Sequence, residues 1–204
     1  MVTGTRRPLV VATVGTDHHD FHRCITWLDG WLAQRPDVSG FVQHGHSAAP
    51  RHAESVAMTS RSELLERFST AAVVVTHGGT GSIMDARASG HVPVVIPRRG
   101  ELGEHVDDHQ VAFCRRIAEL GWIHLAEHED VLRDHLDRAI YDPVPYRHDA
   151  GTAPAPAVST MDAVLSDVLR SDAGGVDLRR LGHAVRLVLR GGRKGDTSEE
   201  SRTS

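Results

Sequence analysis

The sequence is poor in cysteine and contains no long hydrophobic run. Only two cysteines, Cys24 and Cys114, occur among its 204 residues. Neither belongs to a CxxC pair, so the sequence indicates neither a disulfide framework nor a thiolate zinc site. No window approaches the roughly 20 apolar residues that cross a bilayer, and residues 1–7 lack the apolar region of a signal peptide. We therefore expect a cytoplasmic chain that is neither secreted nor membrane-spanning.

A strong charge of one sign is also lacking. The formal net charge is -4, with 40% hydrophobic and 25% charged residues. These values are typical of a soluble globular protein, and they argue against a chain built to bind nucleic acid. The length suits one domain followed by a tail.

Short apolar runs alternate with helical patterns along most of the chain. The run Leu9–Val14 is typical of a strand that is buried on both faces. Helical spacing follows from Phe21 to Leu32 with Asp20 as the expected N-cap, and Ser60 with Glu63 forms a capping box for a second helix. The alternation predicts an α/β fold with a doubly wound, mostly parallel sheet and helices on both faces. The other predicted strands are 40–43, 55–58, 73–76, 92–96 and 122–125, and the other predicted helices are 82–89, 107–120 and 129–140.

Composition divides the chain into four predicted segments. Pro, Ala, Thr and Gly become frequent after residue 141, which is typical of a linker. Further on, six Lys or Arg and no acidic residue lie between Leu178 and Gly195. This basic amphipathic stretch could bind an anionic membrane surface, but docking on its own domain is favoured. The predicted segments are an α/β domain at 1–141, a Pro/Ala-rich linker at 142–160, short helices at 161–190 and a disordered tail at 191–204.

The most informative segment is the apolar run from Val73 with the turn His77–Ser82 that follows it. A strand that passes through three glycines into a helix leaves several backbone N–H groups unpaired near the positive end of the helix dipole. That arrangement suits a phosphate or diphosphate. No lysine follows the last glycine as in a P-loop, and the GxGxxG spacing of dinucleotide folds is lacking. A tight turn without a ligand is the alternative, but the carboxyl end of a strand is where such sheets bind ligands.

Polar residues at the same sheet edge have two interpretations each. Asp85 could complete a capping box with Ser82, or it could accept hydrogen bonds from a ribose diol. The polar run 98–110 could be solvated surface, or it could bind sugar hydroxyls. In the loop after the first strand, His18 and His19 are candidates for a catalytic base, although the loop could simply lead into a helix.

His105 and His109 stand four residues apart and invite comparison with a metal site. The order is wrong for HExxH, and the sequence provides no evident third ligand. Since 15 histidines occur in the chain, such spacings arise by coincidence, and the pair His44 and His46 is treated in the same way. We assign no metal site from the sequence.

Several segments together resemble the C-terminal, donor-binding domain of family 28 glycosyltransferases. They cover residues 8 to 140 in the same order as in the family, which is more specific than any one motif. These segments are Thr13–Thr16, Phe41–Gly45, Thr76–Ala86, Pro93–Pro97 and Asp108–Gln110.

The resemblance implies one half of a GT-B glycosyltransferase and a UDP-sugar as donor, with neither a metal nor another cofactor. It is greatest to split enzymes, such as the bacterial exopolysaccharide transferases and the eukaryotic dolichol-linked N-acetylglucosamine transferase. In these, a membrane-associated partner subunit supplies the acceptor half. The implied function is a hexosyltransferase subunit that acts on a lipid-linked acceptor and is recruited peripherally to the inner face of the plasma membrane.

The resemblance also implies roles for particular residues. Gly78–Ser82 would hold the diphosphate and Asp85 the ribose, while Asp108 and Gln110 would contact the donor sugar, with His109 alongside. Gly15 and Thr16 would face the cleft between the subunits. The base is expected on the partner, with His18 and His19 as local candidates. The full predicted substrate-binding set is Gly15, Thr16, His77, Gly78, Gly79, Thr80, Gly81, Ser82, Asp85, Asp108, His109 and Gln110.

Two other functions remain open from the sequence. A regulatory subunit without catalytic activity could bind a UDP-sugar through the same residues. A phosphate-binding scaffold module would show no preference for uridine nucleotides.

Overall fold

The strands of the domain form one parallel sheet with helices on both of its faces. The computed structural model describes residues 7–148 together with residues 163, 164 and 166. The strands are β1 (Leu9–Thr13), β2 (Ser39–Gln43), β3 (Glu54–Val56), β4 (Val73–His77), β5 (Val94–Ile96) and β6 (His124–Leu125). The helices are α1 (His22–Leu32), α2 (Arg61–Thr70), α3 (Thr80–Ala88), α4 (His109–Glu119) and α5 (Glu129–Tyr141), with short 3-10 turns at Gly100–Leu102 and Val144–Tyr146.

The sheet has six strands in the order β3-β2-β1-β4-β5-β6, and each neighbouring pair is parallel. The predicted doubly wound α/β fold is therefore confirmed. Because the chain leaves β1 toward one side of the sheet and returns at β4 on the other side, the loops after these strands diverge. Their carboxyl ends frame the crevice in which such sheets bind ligands.

Alternate residues of each strand pack on opposite faces, as the pleat requires. On one face, Val10 and Ala12 of β1 belong to a buried cluster that includes residues of α1 and α5. On the other face, Val11 packs with Phe68 of α2 and Ala86 of α3. A third cluster joins β5 to α3 and α4, and Val164 packs against it. The sheet is thus buried on both sides, which explains why its strands are continuous apolar runs.

The predicted helix starts differ from the structure at α1, α3 and α4, the last of which begins at residue 109 rather than 107. Asp20 does not cap α1, because Phe21 is the N-cap residue and no side chain caps the helix. Phe21 is fully buried, and its N–H donates to Ser47 Oγ at 2.8 Å, so a tertiary contact replaces the local cap. Helix α3 begins at Thr80 rather than Ser82. The capping box of Ser60 is confirmed.

The chain continues to pack on the domain beyond residue 141. Tyr146 is buried in the core cluster beneath α5, and Arg147 pairs with His91 in an isolated antiparallel bridge. Residues 142–148 of the predicted linker are therefore part of the folded unit. The rest of the predicted linker, the predicted short helices at 161–190 with their basic stretch, and the tail lie outside the described residues, apart from residues 163, 164 and 166 of the helical segment. Within the described part of the chain, no helix is long and apolar enough to cross a membrane.

His91 makes the stability of this unit sensitive to acid. The side chain is 0% exposed, and its Nε2 lies 2.8 Å from the Phe68 carbonyl oxygen. Burial, with a further contribution from the Arg147 guanidinium, lowers the pKa of His91 from 6.5 to about 4. Between these values the unfolded chain binds a proton that the folded chain does not, so stability is lost as the pH falls.

We expect His91 to account for about 2–3 kcal/mol of the free energy of unfolding that is lost between pH 7 and pH 4.5. His91→Gln keeps an N–H donor for Phe68 but cannot titrate, so its denaturant-unfolding free energy should fall less over the same interval. An equal loss in the wild type and the variant would contradict this assignment.

Candidate functional site

The turn between β4 and α3 is organised around the imidazole of His77. The Gly79 N–H donates to His77 Nδ1 at 3.1 Å, and His77 Nε2 lies 3.1 Å from Ser82 Oγ. Since Nδ1 accepts a hydrogen bond, the neutral ring carries its proton on Nε2. Burial, with a further contribution from the Arg98 guanidinium, lowers the pKa of His77 to about 4. The ring is therefore neutral near pH 7, and its contacts with Gly79 and Ser82 hold the turn in this conformation.

Three backbone N–H groups at the start of α3 are unpaired. Among residues 7–148, the amides of Thr80, Gly81 and Ser82 donate to no protein acceptor, as is usual for the first residues of a helix. These residues are half-buried, so a ligand in the crevice can reach them. The positive end of the α3 dipole adds to the attraction for an anion. The Gly79 amide is not available, because His77 already accepts from it.

Gly15, at the end of β1, allows the two loops to approach each other closely. A Cβ on Gly15 would lie 2.5 Å from His77 Nε2, and one on Gly79 would lie 2.2 Å from His77 Cε1, so the ring is held between two glycines. Gly15 also has a φ of 79°, a conformation that only glycine adopts at low cost. Gln43 Nε2 donates to the Gly15 carbonyl oxygen at 3.0 Å, and Thr16 beside it is exposed.

We expect Gly15→Ala to destabilise the domain by about 3 kcal/mol, because the backbone penalty of about 1–2 kcal/mol adds to the cost of displacing the His77 ring. Gly121→Ala is the matched control. Gly121 has a φ of 70°, and a Cβ there would meet nothing within 4 Å, so only the backbone penalty applies. Thermal and urea unfolding measure both variants, and equal destabilisation would contradict the contact with His77.

Asp85 forms a salt bridge with Arg61, which is not among the predicted site residues. Arg61, the first residue of α2, places its Nη2 at 2.6 Å from Asp85 Oδ1 and its Nε at 3.0 Å from Oδ2. The side chain of Asp85 is 15% exposed and that of Arg61 is 65% exposed. The capping box with Ser82 is not formed, because Gly79 is the N-cap residue and no side chain caps α3. In the sequence, the position of Arg61 is indicated only by the capping residue Ser60, which it follows directly.

The predicted sugar-binding residues Asp108 and His109 contact their own loop. Asp108 Oδ1 accepts from the Gly100 N–H at 2.7 Å. His109 is nearly buried, and its Nδ1 lies 3.1 Å from Asp107 Oδ1. Asp108 therefore stabilises the polar loop that follows β5, whereas His109 Nδ1 makes no hydrogen bond despite this short distance.

Gln110 joins that loop to the β4–α3 turn. Its Oε1 accepts from the Arg98 N–H at 3.2 Å and would lie 2.9 Å from a Cβ on Gly78. The structure thus brings Gln110 next to the glycine turn. Within residues 7–148 its Nε2 makes no hydrogen bond, so this amide group remains as a donor.

A buried arginine connects the loops that follow β1 and β5. Arg98 is 0% exposed, and its guanidinium donates to the carbonyl oxygens of Val14, His19 and Glu104, each at 3.0 Å. The Glu104 carboxylate in turn accepts from Arg23 at 2.7 Å. Arg98 and Glu104 belong to the polar run 98–110, and neither solvated surface nor sugar binding, the two interpretations of that run, predicts this buried network. Its signal in the sequence was an arginine two residues after a buried strand.

Four histidines and two aspartates of the same two loops form what we call the histidine cluster. His19 Nδ1 lies 2.6 Å from Asp17 Oδ1, whereas the side chain of His18 is 79% exposed and its Nδ1 lies 3.9 Å away. From the other loop, His105 Nε2 lies 4.0 Å from Asp17 Oδ2. The two candidate bases are therefore not equivalent, since only His19 is oriented by a carboxylate. The members of the cluster are Asp17, His18, His19, His105, Asp107 and His109.

Comparison with known proteins agrees with this architecture. The glycosyltransferase family 28 C-terminal domain matches residues 9–150 of the 204. Among solved structures, a glycosyltransferase of kitacinnamycin is 20% identical with a TM-score of 0.51, and the alignment covers 90% of this chain and 43% of that one. MurG of Acinetobacter baumannii is 16% identical with a TM-score of 0.48, covering 91% of this chain and 51% of that one. Among curated proteins no sequence relative is found.

The six-stranded parallel sheet is the fold of one half of a GT-B glycosyltransferase. Because the family match extends over more than half of the sequence, the chain belongs to the family of glycosyltransferase family 28 C-terminal domains. It spans less than half of the kitacinnamycin enzyme.

Proposed function

We propose that this chain is the donor-binding subunit of a UDP-sugar-dependent hexosyltransferase that forms part of polysaccharide or glycoconjugate biosynthesis. The observation that carries the proposal is the group of three unpaired amides at Thr80, Gly81 and Ser82, at the sheet edge where the loops diverge. Family membership supports an activated sugar as the ligand. The amides would bind the diphosphate, Asp85 would bind the ribose, and Gln110 would contact the sugar.

The reaction would be attack of an acceptor hydroxyl on the anomeric carbon of the donor. A new bond forms between the acceptor oxygen and that carbon, the bond to the diphosphate oxygen breaks, and the hydroxyl proton passes to a base. Negative charge develops on the departing UDP, and fixed N–H dipoles stabilise such charge without moving. By family analogy, the configuration at the anomeric carbon would invert, and neither a metal nor another cofactor is needed for this step.

A second, membrane-associated subunit would supply the acceptor half and present a lipid-linked acceptor. Two exposed apolar side chains support a contact beside the site: Leu102 and Val106 of the loop after β5 are 55% and 77% exposed. Apolar side chains at the rim of a crevice are typical of a surface that a partner covers. The chain itself would then be cytoplasmic and recruited to the inner face of the plasma membrane.

Asp85 can serve the ribose only if it is shared with Arg61 or released from it. A guanidinium and a ribose diol can bind the same carboxylate, because its two oxygens offer several acceptor positions. Asp85→Asn should weaken binding of uridine and UDP alike, since the ribose is present in both.

We expect UDP to bind the purified full-length chain more tightly than UMP, and UMP more tightly than uridine, because each phosphate adds contacts with the α3 amides. Gly79→Ala should weaken UDP binding by about tenfold or more, because a Cβ placed 2.2 Å from His77 Cε1 would displace the start of α3 and its amides, and charged hydrogen bonds contribute about 1.5–3 kcal/mol each. Gly30→Ala on α1 is the control, because a Cβ there would meet only the end of the flexible Arg133 side chain, at 3.2 Å. Titration calorimetry in EDTA measures all of these, and equal affinity for UDP and uridine would contradict the proposal.

We expect His18→Ala and His19→Ala each to retain most of the turnover of the assembled transferase, because the base is proposed to lie on the partner. The measurement is sugar transfer to a lipid-linked acceptor with the partner subunit present. A loss of about 10²-fold or more in kcat for either variant, with UDP binding intact, would place the base on this chain instead.

The same assay separates a regulatory subunit from an enzyme. A subunit that only regulates would bind UDP but add no turnover to a partner that is already competent.

A further inference from the structure

The histidine cluster brings metal-ligating groups from two separate loops into one place. Asp17, His18 and His19, in the loop after β1, each offer one ligand atom, and these atoms lie within 4.8 Å of one another. His105, in the loop after β5, adds a nitrogen 4.0 Å from Asp17 Oδ2. None of these four side chains is used by the proposed binding of the donor.

The donor set and its spacing suit a zinc ion. Three imidazoles and one carboxylate are borderline ligands that Zn²⁺ accepts in tetrahedral geometry, with bonds of about 2.0–2.2 Å. Such bonds separate neighbouring ligand atoms by about 3.4 Å. The 4.0 Å from His105 Nε2 to Asp17 Oδ2 therefore has to shorten by about 0.6 Å. The 2.6 Å hydrogen bond between His19 Nδ1 and Asp17 Oδ1 has to open, because that nitrogen would bind the ion instead.

The charge of Asp17 favours a cation at this place. Its carboxylate can bind a metal through Oδ2, the oxygen that faces His105 Nε2.

Hydrogen bonds within the cluster do not satisfy all of its nitrogens. His105 Nδ1 and His109 Nδ1 lie 3.2 Å and 3.1 Å from Asp107 Oδ1. Both nitrogens are buried, yet neither makes a hydrogen bond. A small shift of His105 toward Asp17 therefore costs no established hydrogen bond, and Asp107 remains close enough to orient the ring as carboxylates do beside metal-ligating histidines.

We infer that Asp17, His18, His19 and His105 form a zinc site that links the loops after β1 and β5. The inference does not rest on the proposed function, because it uses neither the α3 amides nor a nucleotide. A bound ion would commit His18 and His19 to ligation, which agrees with a base on the partner subunit.

The test is titration of the untagged full-length chain with Zn²⁺, read by calorimetry and by competition with a chromogenic chelator. We expect one tight equivalent of Zn²⁺ and no comparable binding of Mg²⁺, which prefers octahedral oxygen ligands. His105→Gln and Asp17→Asn should each weaken Zn²⁺ binding by about 10- to 100-fold or more, since even outer partners of a metal site have effects of that size. His128→Gln, at an exposed histidine outside the cluster, is the matched control and should bind as the wild type does.

Thermal unfolding confirms that each variant is folded, and Asp17→Asn keeps an oxygen acceptor for the His19 N–H. The visible spectrum of the Co²⁺-loaded wild type needs no variant: intense bands of tetrahedral cobalt support the site, and the weak bands of octahedral cobalt contradict it. The inference is overturned by the lack of a stoichiometric Zn²⁺ site, or by equal Zn²⁺ affinity in the wild type and in folded His105→Gln and Asp17→Asn. UDP is titrated separately in EDTA, so failure here leaves the proposed function untouched.

Discussion

The arrangement of the site depends on one buried cation, Arg98, and the three carbonyl oxygens that it holds. Burial lowers the pKa of this guanidinium, but arginine remains protonated in proteins, so its charge has to be stabilised locally. The carbonyl oxygens of Val14, His19 and Glu104 stabilise it by accepting its hydrogen bonds. As a result, the loops after β1 and β5 are fixed to each other beside the glycine turn. The crevice where the loops diverge is thereby bounded by segments in fixed positions.

The parts of the fold that depend on local pattern could be predicted from the sequence. Continuous apolar runs identified the strands, since a parallel sheet covered by helices buries both faces of each strand. The capping box of Ser60 fixed the start of α2. The glycine turn was also recognisable, because unpaired amides follow from any strand that passes through glycines into a helix. Prediction failed at Asp20, where the buried side chain of Phe21 and its contact with Ser47 determine the start of α1.

The contacts between distant residues could not be predicted. Arg61 reaches Asp85 across 24 positions, and Arg23 reaches Glu104 across 81, so no spacing rule connects them. The histidine cluster could not be predicted for the same reason. His105 and His109 lacked an evident third ligand in their own segment, while Asp17 and its neighbouring histidines approach from another loop. Sequence order shows which residue types are available, but only the topology shows which of them meet.

The central claim is that the amides of Thr80, Gly81 and Ser82 bind the diphosphate of an activated sugar. The most direct measurement is nuclear magnetic resonance of the ¹⁵N-labelled chain, with hydrogen exchange followed at these three amides as UDP is added. The account predicts that their resonances shift and that their exchange slows, while the amide of Gly79, already bonded to His77, exchanges as before. Saturating UDP that leaves these three resonances and their exchange rates unchanged would contradict it.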